Sequence, residues 1–455
     1  MREEAGKGTL ISMITPIDIA LITVYVLIVL GIGFVSSRKQ SPDDYMIHGR
    51  KLGTAQLVAT ISASWVGGGA IIAYGAYVFE YGIAAISVYV GFFCSMLVFA
   101  RYAPRIRTRA AELGHLTIGD YITDSVGVRA GIVTALVSSV AYCLFLVNQF
   151  IAGSTVLSTL SGWTYETALV ISVVVVLLYL LLGGMRSVVK TDIFQYLAML
   201  ILMVVIGGVM VQKTGIEKEL LNPLSMEPGL AIAFILYGVM TPFASVEIWH
   251  RMYAAKDDTA VRRGLIGAGF FVMVFGCIIA LLGMAARTAY PNVSPNEAIP
   301  YGMLHLLPAG LLGLGLVVLF AAIMSTIDTL VFYLASSIAK DYYGRKNPHI
   351  SQKDLQRITR SSIVFVSILG ALIAFFLRDI LQVIMTVAGV ISGMVPAIIG
   401  SFCTKLKENA VIASLISACL YVLLLIITDN IEPDYAVASL AVSAVVLVGW
   451  QKFGS

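Results

Sequence analysis

The amino-acid sequence predicts an all-α integral membrane protein of about thirteen transmembrane helices, and three observations support this fold class. Hydrophobic residues make up 59% of the 455 residues and charged residues only 12%, whereas soluble domains carry roughly 25% charged residues. The mean hydropathy is +0.92. Apolar segments of about 20 residues, the length that crosses a bilayer, recur along the whole chain. We therefore expect a multi-pass protein of a lipid bilayer, most simply the plasma membrane of a prokaryote.

Thirteen apolar segments have a suitable length, and together they are expected to form one transmembrane domain over residues 1–455. They cover, approximately, residues 17–37, 53–78, 83–100, 130–159, 164–182, 189–211, 230–250, 264–286, 308–338, 361–377, 380–403, 409–428 and 433–451. The first segment is interpreted as a retained helix, because its apolar run is too long for a signal peptide and no small-residue cleavage site follows it.

The distribution of positive charge predicts the orientation of these segments. If residue 1 lies outside the cell, the connections on the inner side hold 24 of the 30 Lys and Arg residues. Positively charged loops stay in the cytoplasm, so the N-terminus is expected outside and the C-terminus inside. The net charge of +4 comes from these inner loops and indicates no nucleic-acid partner.

The residues that would indicate an enzyme are missing from the sequence. The five cysteines lie in predicted spans without CxxC spacing, so neither metal ligation nor a disulfide is expected of them. We find no histidine or cysteine cluster, no nucleophile elbow and no metal-ligand spacing. The sequence therefore favours transport or binding over catalysis.

Two of the apolar segments contain residues that interrupt a helix. The second span contains "TISASWVGGGA" at 60–70, and the seventh contains "LYGVMTPFAS" at 236–245, with Gly238 and Pro242. Transporters with inverted repeats place broken helices at matching positions of their two halves. This predicts two five-helix repeats, 53–211 and 230–403, preceded by one helix at 17–37 and followed by two at 409–451. The alternative is that the glycines only allow neighbouring helices to pack closely.

The segment "AAIMSTIDT" in the ninth span concentrates polar groups on one helix. Thr329 lies one turn beyond Ser325 and Thr326, and Asp328 is three residues after Ser325. An ionised carboxylate near the centre of a bilayer costs about 2.5–3.5 kcal/mol on insertion scales, so a cation, a basic partner or a water cavity must offset it. Hydroxyls together with carbonyls from an unwound helix would form a mostly neutral oxygen cage, which suits Na⁺.

Two further acidic residues lie close to basic residues in the sequence. Asp192 is near Arg186 and Lys190, and an interfacial ion pair with one of them is the simplest interpretation. Glu247 and Arg251 are four residues apart, which favours an ion pair along one helix.

The motifs together resemble the sodium:solute symporter family, in its order and spacing over almost the whole chain. The matching motifs are "GRKLG" (49–53), "GGMRSVVKTDIFQ" (183–195), "HRMYAAKDDTAVRRG" (250–264) and "FAAIMSTIDTLVFYLASSIAKDYY" (320–343). The resemblance implies a leucine-transporter-like inverted-repeat fold and inward transport of a small solute, driven by a sodium gradient. An amino acid, a monocarboxylate or a quaternary amine would be such a solute, and a monomer would be sufficient for function.

The resemblance also implies which residues bind the ions. For the main sodium site it implies the carbonyls of Val58, Ile61 and Ala322 and the hydroxyls of Ser325 and Thr326. For a second sodium, which only some members bind, it implies Asp192, Ser325, Asp328 and Thr329. Asp328 stands where some two-sodium members have serine, so the number of sodium ions stays open.

The solute cavity is implied to be lined by aromatic residues. They are Trp65, Tyr89, Phe92 and Tyr237. "ATISASWVGGG" and Asp328 are also similar to the choline-transporter branch, and an aromatic cage would suit a quaternary ammonium group. That branch's further tryptophans align with Leu144 and Ser245, so a full cage is not expected.

Two alternatives remain at this stage. Proton coupling within the same fold would use the titration of Asp192 or Asp328. A membrane sensor without net transport would use the same binding site, although we find no attached signalling domain in the sequence.

Overall fold

A computed structural model describes residues 15–37, 47–344, 346–347 and 349–454, and these residues are almost entirely helical. The α-helices in this part of the chain are Pro16–Ser37 (α1), Thr54–Trp65 (α2), Gly75–Tyr81 (α3), Ser87–Leu113 (α4), Ile118–Ser125 (α5), Val128–Ser161 (α6), Tyr165–Thr214 (α7), Pro228–Ala244 (α8), Val246–Tyr253 (α9), Asp258–Ala289 (α10), Ala298–Leu306 (α11), Leu311–Ser337 (α12), Gln352–Phe376 (α13), Ile380–Cys403 (α14), Glu408–Ile427 (α15), Pro433–Val437 (α16) and Ser439–Phe453 (α17). Two π-helical turns, Ala70–Tyr74 and Ile338–Gly344, adjoin α3 and α12.

Eleven helices of the described residues are long and apolar enough to cross a membrane, two fewer than predicted. One difference lies at the predicted span 53–78. There α2 has only 12 residues, and the helix that follows continues into the next span, so that Ala70–Leu113 counts as one segment of 44 residues. The other lies in α7, a helix of 50 residues that is kinked at Gly184. Its first part, Tyr165–Leu178, is apolar but short.

Helix α12 lies inside the helical bundle. Its residues are buried along almost its whole length, and it packs against α1, α2, α6, α7 and α13. The polar side chains of α12 therefore face protein rather than lipid. Tyr25 of α1 is buried in the same region, where its hydroxyl lies 3.8 Å from the sulfur of Met324 and accepts a hydrogen bond from Gln195.

Helices α4 and α8 cross in close contact at two glycines. A Cβ atom added to Gly238 would lie 2.0 Å from the carbonyl oxygen of Val88, and one added to Gly91 would lie 2.6 Å from that of Ile235. The sequence-based interpretation of Gly238 as part of a helix break is therefore wrong. Helix α8 continues through Gly238 to Ala244, and the glycine is needed because the two backbones touch.

The two interrupted helices are joined by backbone hydrogen bonds. The N–H of Leu52, just before α2, donates to the carbonyl of Ala254, just after α9, at 3.0 Å. The N–H of Lys256 donates in return to the carbonyl of Leu52 at 2.9 Å. The guanidinium of Arg50 adds hydrogen bonds to the carbonyls of Tyr253 and His115. The beginning of α2 and the end of α9 are thus held together.

Candidate functional site

The first helix break lies directly after Trp65. Helix α2 ends there, and Val66 has the non-helical angles φ −87° and ψ 60°. The last four carbonyls of a helix have no partner in the helix itself. The N–H of Val66 still reaches the carbonyl of Ser62 at 3.0 Å. The carbonyls of Ala63, Ser64 and Trp65 therefore lie beyond the hydrogen-bond ladder of α2.

Three consecutive glycines allow the backbone at this break to lie in close contact with neighbouring helices. A Cβ added to Gly67 would lie 2.2 Å from Thr326 Oγ1, and one added to Gly68 would lie 2.2 Å from Ile323 Cγ1. Gly69 approaches Asn148 of α6 in the same way. Both interpretations of "GGG" thus apply, because the helix ends here and its backbone also packs closely on α12.

The hydroxyls of Ser325 and Thr326 meet the carbonyls that the break exposes. Ser325 Oγ donates to the carbonyl of Ala63 at 2.8 Å and to that of Ala322 at 3.0 Å. Thr326 Oγ1 donates to the carbonyl of Ser64 at 2.9 Å and to that of Ala322 at 3.2 Å. Both side chains are buried. Two hydroxyls and three carbonyls, all uncharged oxygen donors, thus gather at one point of the fold.

Val58 and Ile61, whose carbonyls are expected at the main sodium site, lie earlier in α2. Both residues lie within α2, before its final turn, so their carbonyls belong to the hydrogen-bond ladder of the helix. Val58 contacts the opposite neighbour, since its side chain lies against Gly267 of α10. The hydroxyls of Ser325 and Thr326 are hydrogen-bonded to the carbonyls of Ala63 and Ser64, and a role of the Val58 and Ile61 carbonyls in binding sodium stays a prediction.

A second polar cluster surrounds Arg251. Its guanidinium forms an ion pair with Asp192 at 2.9 Å, and both side chains are fully buried. The guanidinium also donates to three hydroxyl oxygens, those of Thr60 (2.8 Å), Ser64 (2.7 Å) and Thr329 (2.6 Å). Thr60 in turn donates to the Asp192 carboxylate. The cluster joins α2, α7, α9 and α12.

Both sequence-based ion pairs are corrected by this cluster. Asp192 pairs with Arg251, 59 positions away, rather than with Arg186 or Lys190. Arg251 contacts Glu247 through the backbone carbonyl, at 3.4 Å, while its ion pair is with Asp192. Spacing along the chain predicts ion pairs between residues that are close in sequence, whereas the ion pair in the structure joins two residues that are far apart in sequence.

The residues expected at a second sodium site are divided between the two clusters. Asp192 and Thr329 contact Arg251, and Ser325 faces the helix break. Asp328 is buried, and its Oδ1 lies 3.4 Å from Thr329 Oγ1.

The four aromatic residues expected at the solute site line one cavity. Trp65 and Phe92 are stacked with ring centroids 4.6 Å apart, and Tyr89 meets Tyr74 edge to face at 4.6 Å. Sequence reasoning missed four further aromatic residues of the lining: Tyr74, Tyr77, Phe145 and Phe234. Tyr74 and Tyr77 follow the break at helical spacing, which is the signal that could have found them. The lining contains no Asp, Glu, Lys, Arg or His.

The cavity and the exposed carbonyls share the first break. Trp65, Gly69 and Ala70 line the cavity, while Ala63 and Ser64 face the hydroxyls of α12. A broken membrane helix with oxygen ligands on one side and a cavity beside it is typical of a secondary transporter.

The comparison with known families agrees with this class of protein. The model of the Sodium:solute symporter family matches residues 45–417. The chain therefore belongs to the sodium:solute symporter family. It is a sodium-coupled solute symporter and a multi-pass membrane protein, and it is not an enzyme.

Individual relatives and solved structures support the assignment. The chain is 27% identical over 371 residues to the sodium/pantothenate symporter of Escherichia coli (strain K12), with 77% of each chain covered. It is 25% identical over 391 residues to the sodium/proline symporter of Staphylococcus aureus (strain JH9), covering 79% of this chain and 75% of the relative. Its fold matches that of a Na⁺-coupled sialic acid symporter with a TM-score of 0.82 and 15% identity, over 96% of this chain and 97% of the other.

A more distant structure extends the fold comparison. MhsT in complex with L-phenylalanine matches with a TM-score of 0.60 and 14% identity, over 88% of this chain and 98% of the other. At these identities the likeness concerns the fold alone. The expected leucine-transporter-like fold is confirmed, whereas the similarity to the choline-transporter branch stays a prediction.

Proposed function

We propose that this symporter binds its coupled sodium ion between the hydroxyls of Ser325 and Thr326 and the carbonyls of Ala63, Ser64 and Ala322. The observation that carries the proposal is the convergence of the paired hydroxyls on carbonyls beyond the hydrogen-bond ladder of α2. Hydroxyl hydrogens can rotate away, so that the same oxygens present lone pairs to a cation. An uncharged oxygen cage favours a monovalent ion over a divalent one, because it supplies no carboxylate to balance a second charge.

The solute is proposed to bind in the aromatic cavity lined by Trp65, Tyr89, Phe92 and Tyr237. The side chains of its described lining are apolar apart from the tyrosine hydroxyls and the indole N–H of Trp65, and this favours a solute with a sizeable apolar body. Aromatic amino acids, monocarboxylates with an apolar chain and quaternary amines have such a body. The named relatives carry pantothenate and proline, and a solute of that size is a suitable starting point for a screen.

Sodium and solute are proposed to be coupled through the first break. Trp65 belongs to the cavity, and the residue before it, Ser64, offers its carbonyl to Thr326. A sodium ion that fixes Ala63 and Ser64 therefore also fixes the adjoining wall of the cavity. The solute, by ordering the same segment, would increase the affinity for sodium to an equal extent, since such coupling is reciprocal.

The orientation and the functional unit are also part of the proposal. The distribution of Lys and Arg supports an outside N-terminus and an inside C-terminus, although one arginine must be removed from the number counted in the inner connections. Arg251 is buried in the fold and does not act as a loop charge. The two repeats are proposed to span 53–211 and 230–403. A single chain is proposed to be sufficient for function, in the plasma membrane of a prokaryote.

Uptake into proteoliposomes tests the proposal. We expect uptake of a solute, found by a thermal-shift screen in sodium against potassium, to require an inward sodium gradient. Ser325→Ala combined with Thr326→Ala should abolish this dependence, because it removes both hydroxyl ligands. The control is Ser414→Ala, which removes a buried hydroxyl that bonds only within α15, to Val411, and should leave uptake unchanged. Uptake driven by a pH gradient and insensitive to sodium would instead establish proton coupling.

A further inference from the structure

The environment of Arg251 is that of a bound cation. Its guanidinium is fully buried and is surrounded by oxygens: the carboxylate of Asp192 and the hydroxyls of Thr60, Ser64 and Thr329. These distances are 2.6–2.9 Å, typical of charge-assisted hydrogen bonds. They come from three helices, so the guanidinium sits where a free cation would find its ligands.

Two of these ligands are residues that a second sodium ion would need. Asp192 and Thr329 both belong to the set expected for that ion, and both are in contact with Arg251. An added cation on the same oxygens would lie next to the guanidinium and would be repelled by it. Separating Arg251 from Asp192 would leave two buried charges uncompensated, which is strongly unfavourable.

We propose that Arg251 is the permanent cation of the Asp192 site and that this symporter therefore binds one sodium ion, at Ser325 and Thr326, rather than two. This inference rests on the proposed sodium site. The guanidinium is part of the chain, so the site keeps the same cation throughout the cycle. Because that charge is attached to α9, it is not released into the cytoplasm.

The bound guanidinium also has a structural consequence that sodium would not have. Arg251 connects α9 of the second predicted repeat with α2 and α7 of the first. A second sodium ion would make this connection only when bound. In this chain the connection is covalent on one side, so it does not depend on the sodium concentration.

Sodium binding to the purified full chain decides between one ion and two. The probe is ²²Na⁺ alone, counted per chain at saturation in detergent or in lipid nanodiscs. We expect one ion for the wild type. Two ions for the wild type would overturn the inference while leaving the proposed function standing. No bound ion, together with sodium-independent uptake, would overturn the proposed function itself.

Two variants test whether Arg251 is responsible. In Arg251→Gln the Asp192 carboxylate is freed, and we expect two bound sodium ions. A folded Arg251→Gln protein that still binds one would overturn the inference. Because an unpaired buried acid destabilises a fold, the second variant combines Arg251→Gln with Asp192→Asn and removes both charges. It is expected to bind one ion, because the hydroxyl site is intact. Loss of that ion would place Asp192 at the sodium site and contradict the inference.

Discussion

The chain has two broken helices, one interrupted after Trp65 and one at Ser245, and their exposed backbone groups are satisfied in different ways. At the first break, hydroxyls of α12 bind the carbonyls of Ala63 and Ser64. These hydroxyls can turn away when a cation arrives. The first break therefore keeps its carbonyls available to a small ion.

The second break, between α8 and α9 at Ser245, is closed by large side chains. The Tyr142 hydroxyl donates to the carbonyl of Ala244 at 3.2 Å and accepts from the N–H of Val246 at 3.1 Å. The indole N–H of Trp249 donates to the carbonyl of Phe243 at 2.7 Å. The indole N–H of Trp249 is fixed by its ring, whereas the hydrogen of a Ser or Thr hydroxyl can rotate away. The two breaks therefore differ in how readily the partners of their carbonyls can be exchanged.

The largest effect that would test this difference is expected for Gly67→Ala. The added Cβ would lie 2.2 Å from Thr326 Oγ1 and 2.9 Å from Thr326 Cβ, so the break and α12 must separate. Overpacking of this kind costs about 1–3 kcal/mol. If that cost falls on sodium binding, sodium activation of uptake weakens by about 5- to 150-fold.

The matched control is Gly208→Ala in α7. Nothing lies within 4 Å of a Cβ added at Gly208, so this variant should retain normal sodium activation. Normal sodium activation in Gly67→Ala would show that the ion does not bind at the first break.

A medium effect, on stability alone, is expected for Tyr142→Phe. The variant leaves the carbonyl of Ala244 and the N–H of Val246 without their shared partner in a buried site, which costs about 1–3 kcal/mol. Thermal unfolding in detergent should occur at a lower temperature, with sodium activation unchanged. Tyr421→Phe, which removes a more exposed hydrogen bond to Tyr435, is the control. A change in sodium activation for Tyr142→Phe would place the second break in the ion site as well.

The smallest effect concerns the tryptophan beside each break. Trp65→Phe weakens the stack on Phe92 in the cavity, and aromatic pairs are worth about 0.5–1.5 kcal/mol. The solute concentration for half-maximal uptake should rise by about 2- to 12-fold. Trp249→Phe should instead lower the unfolding temperature, because it removes the hydrogen bond to Phe243. If Trp249→Phe raised the solute concentration for half-maximal uptake and Trp65→Phe did not, the result would argue against the aromatic cavity as the solute site.

The fold class could be predicted from the sequence, and so could those features that are recognised from neighbouring residues alone. Paired hydroxyls on an apolar helix and a glycine run in another are informative without any contact map, because lipid does not tolerate unsatisfied polar groups. The four predicted cavity residues likewise line one cavity in the structure, and their role in solute binding stays a prediction.

The predicted ion pairs and the predicted role of Gly238 were wrong, because they depend on contacts between residues that are far apart in the sequence. Arg251 pairs with Asp192 across the bundle, and no spacing rule reaches 59 positions along the chain. The hydrogen bonds from Ser325 and Thr326 to the carbonyls of Ala63 and Ser64 likewise join residues that are far apart in the sequence, and spacing along the chain does not predict them. Gly238 was misread because its close neighbour, Val88, comes from another helix.

The paired backbone hydrogen bonds of Leu52 have a mechanical consequence. They join the start of α2 to the chain just after α9 by a short piece of β-bridge, and the side chain of Arg50 reinforces the joint. The two interrupted helices are thereby tied to each other at residues 50–52, and any displacement of the start of α2 relative to the end of α9 has to break these hydrogen bonds.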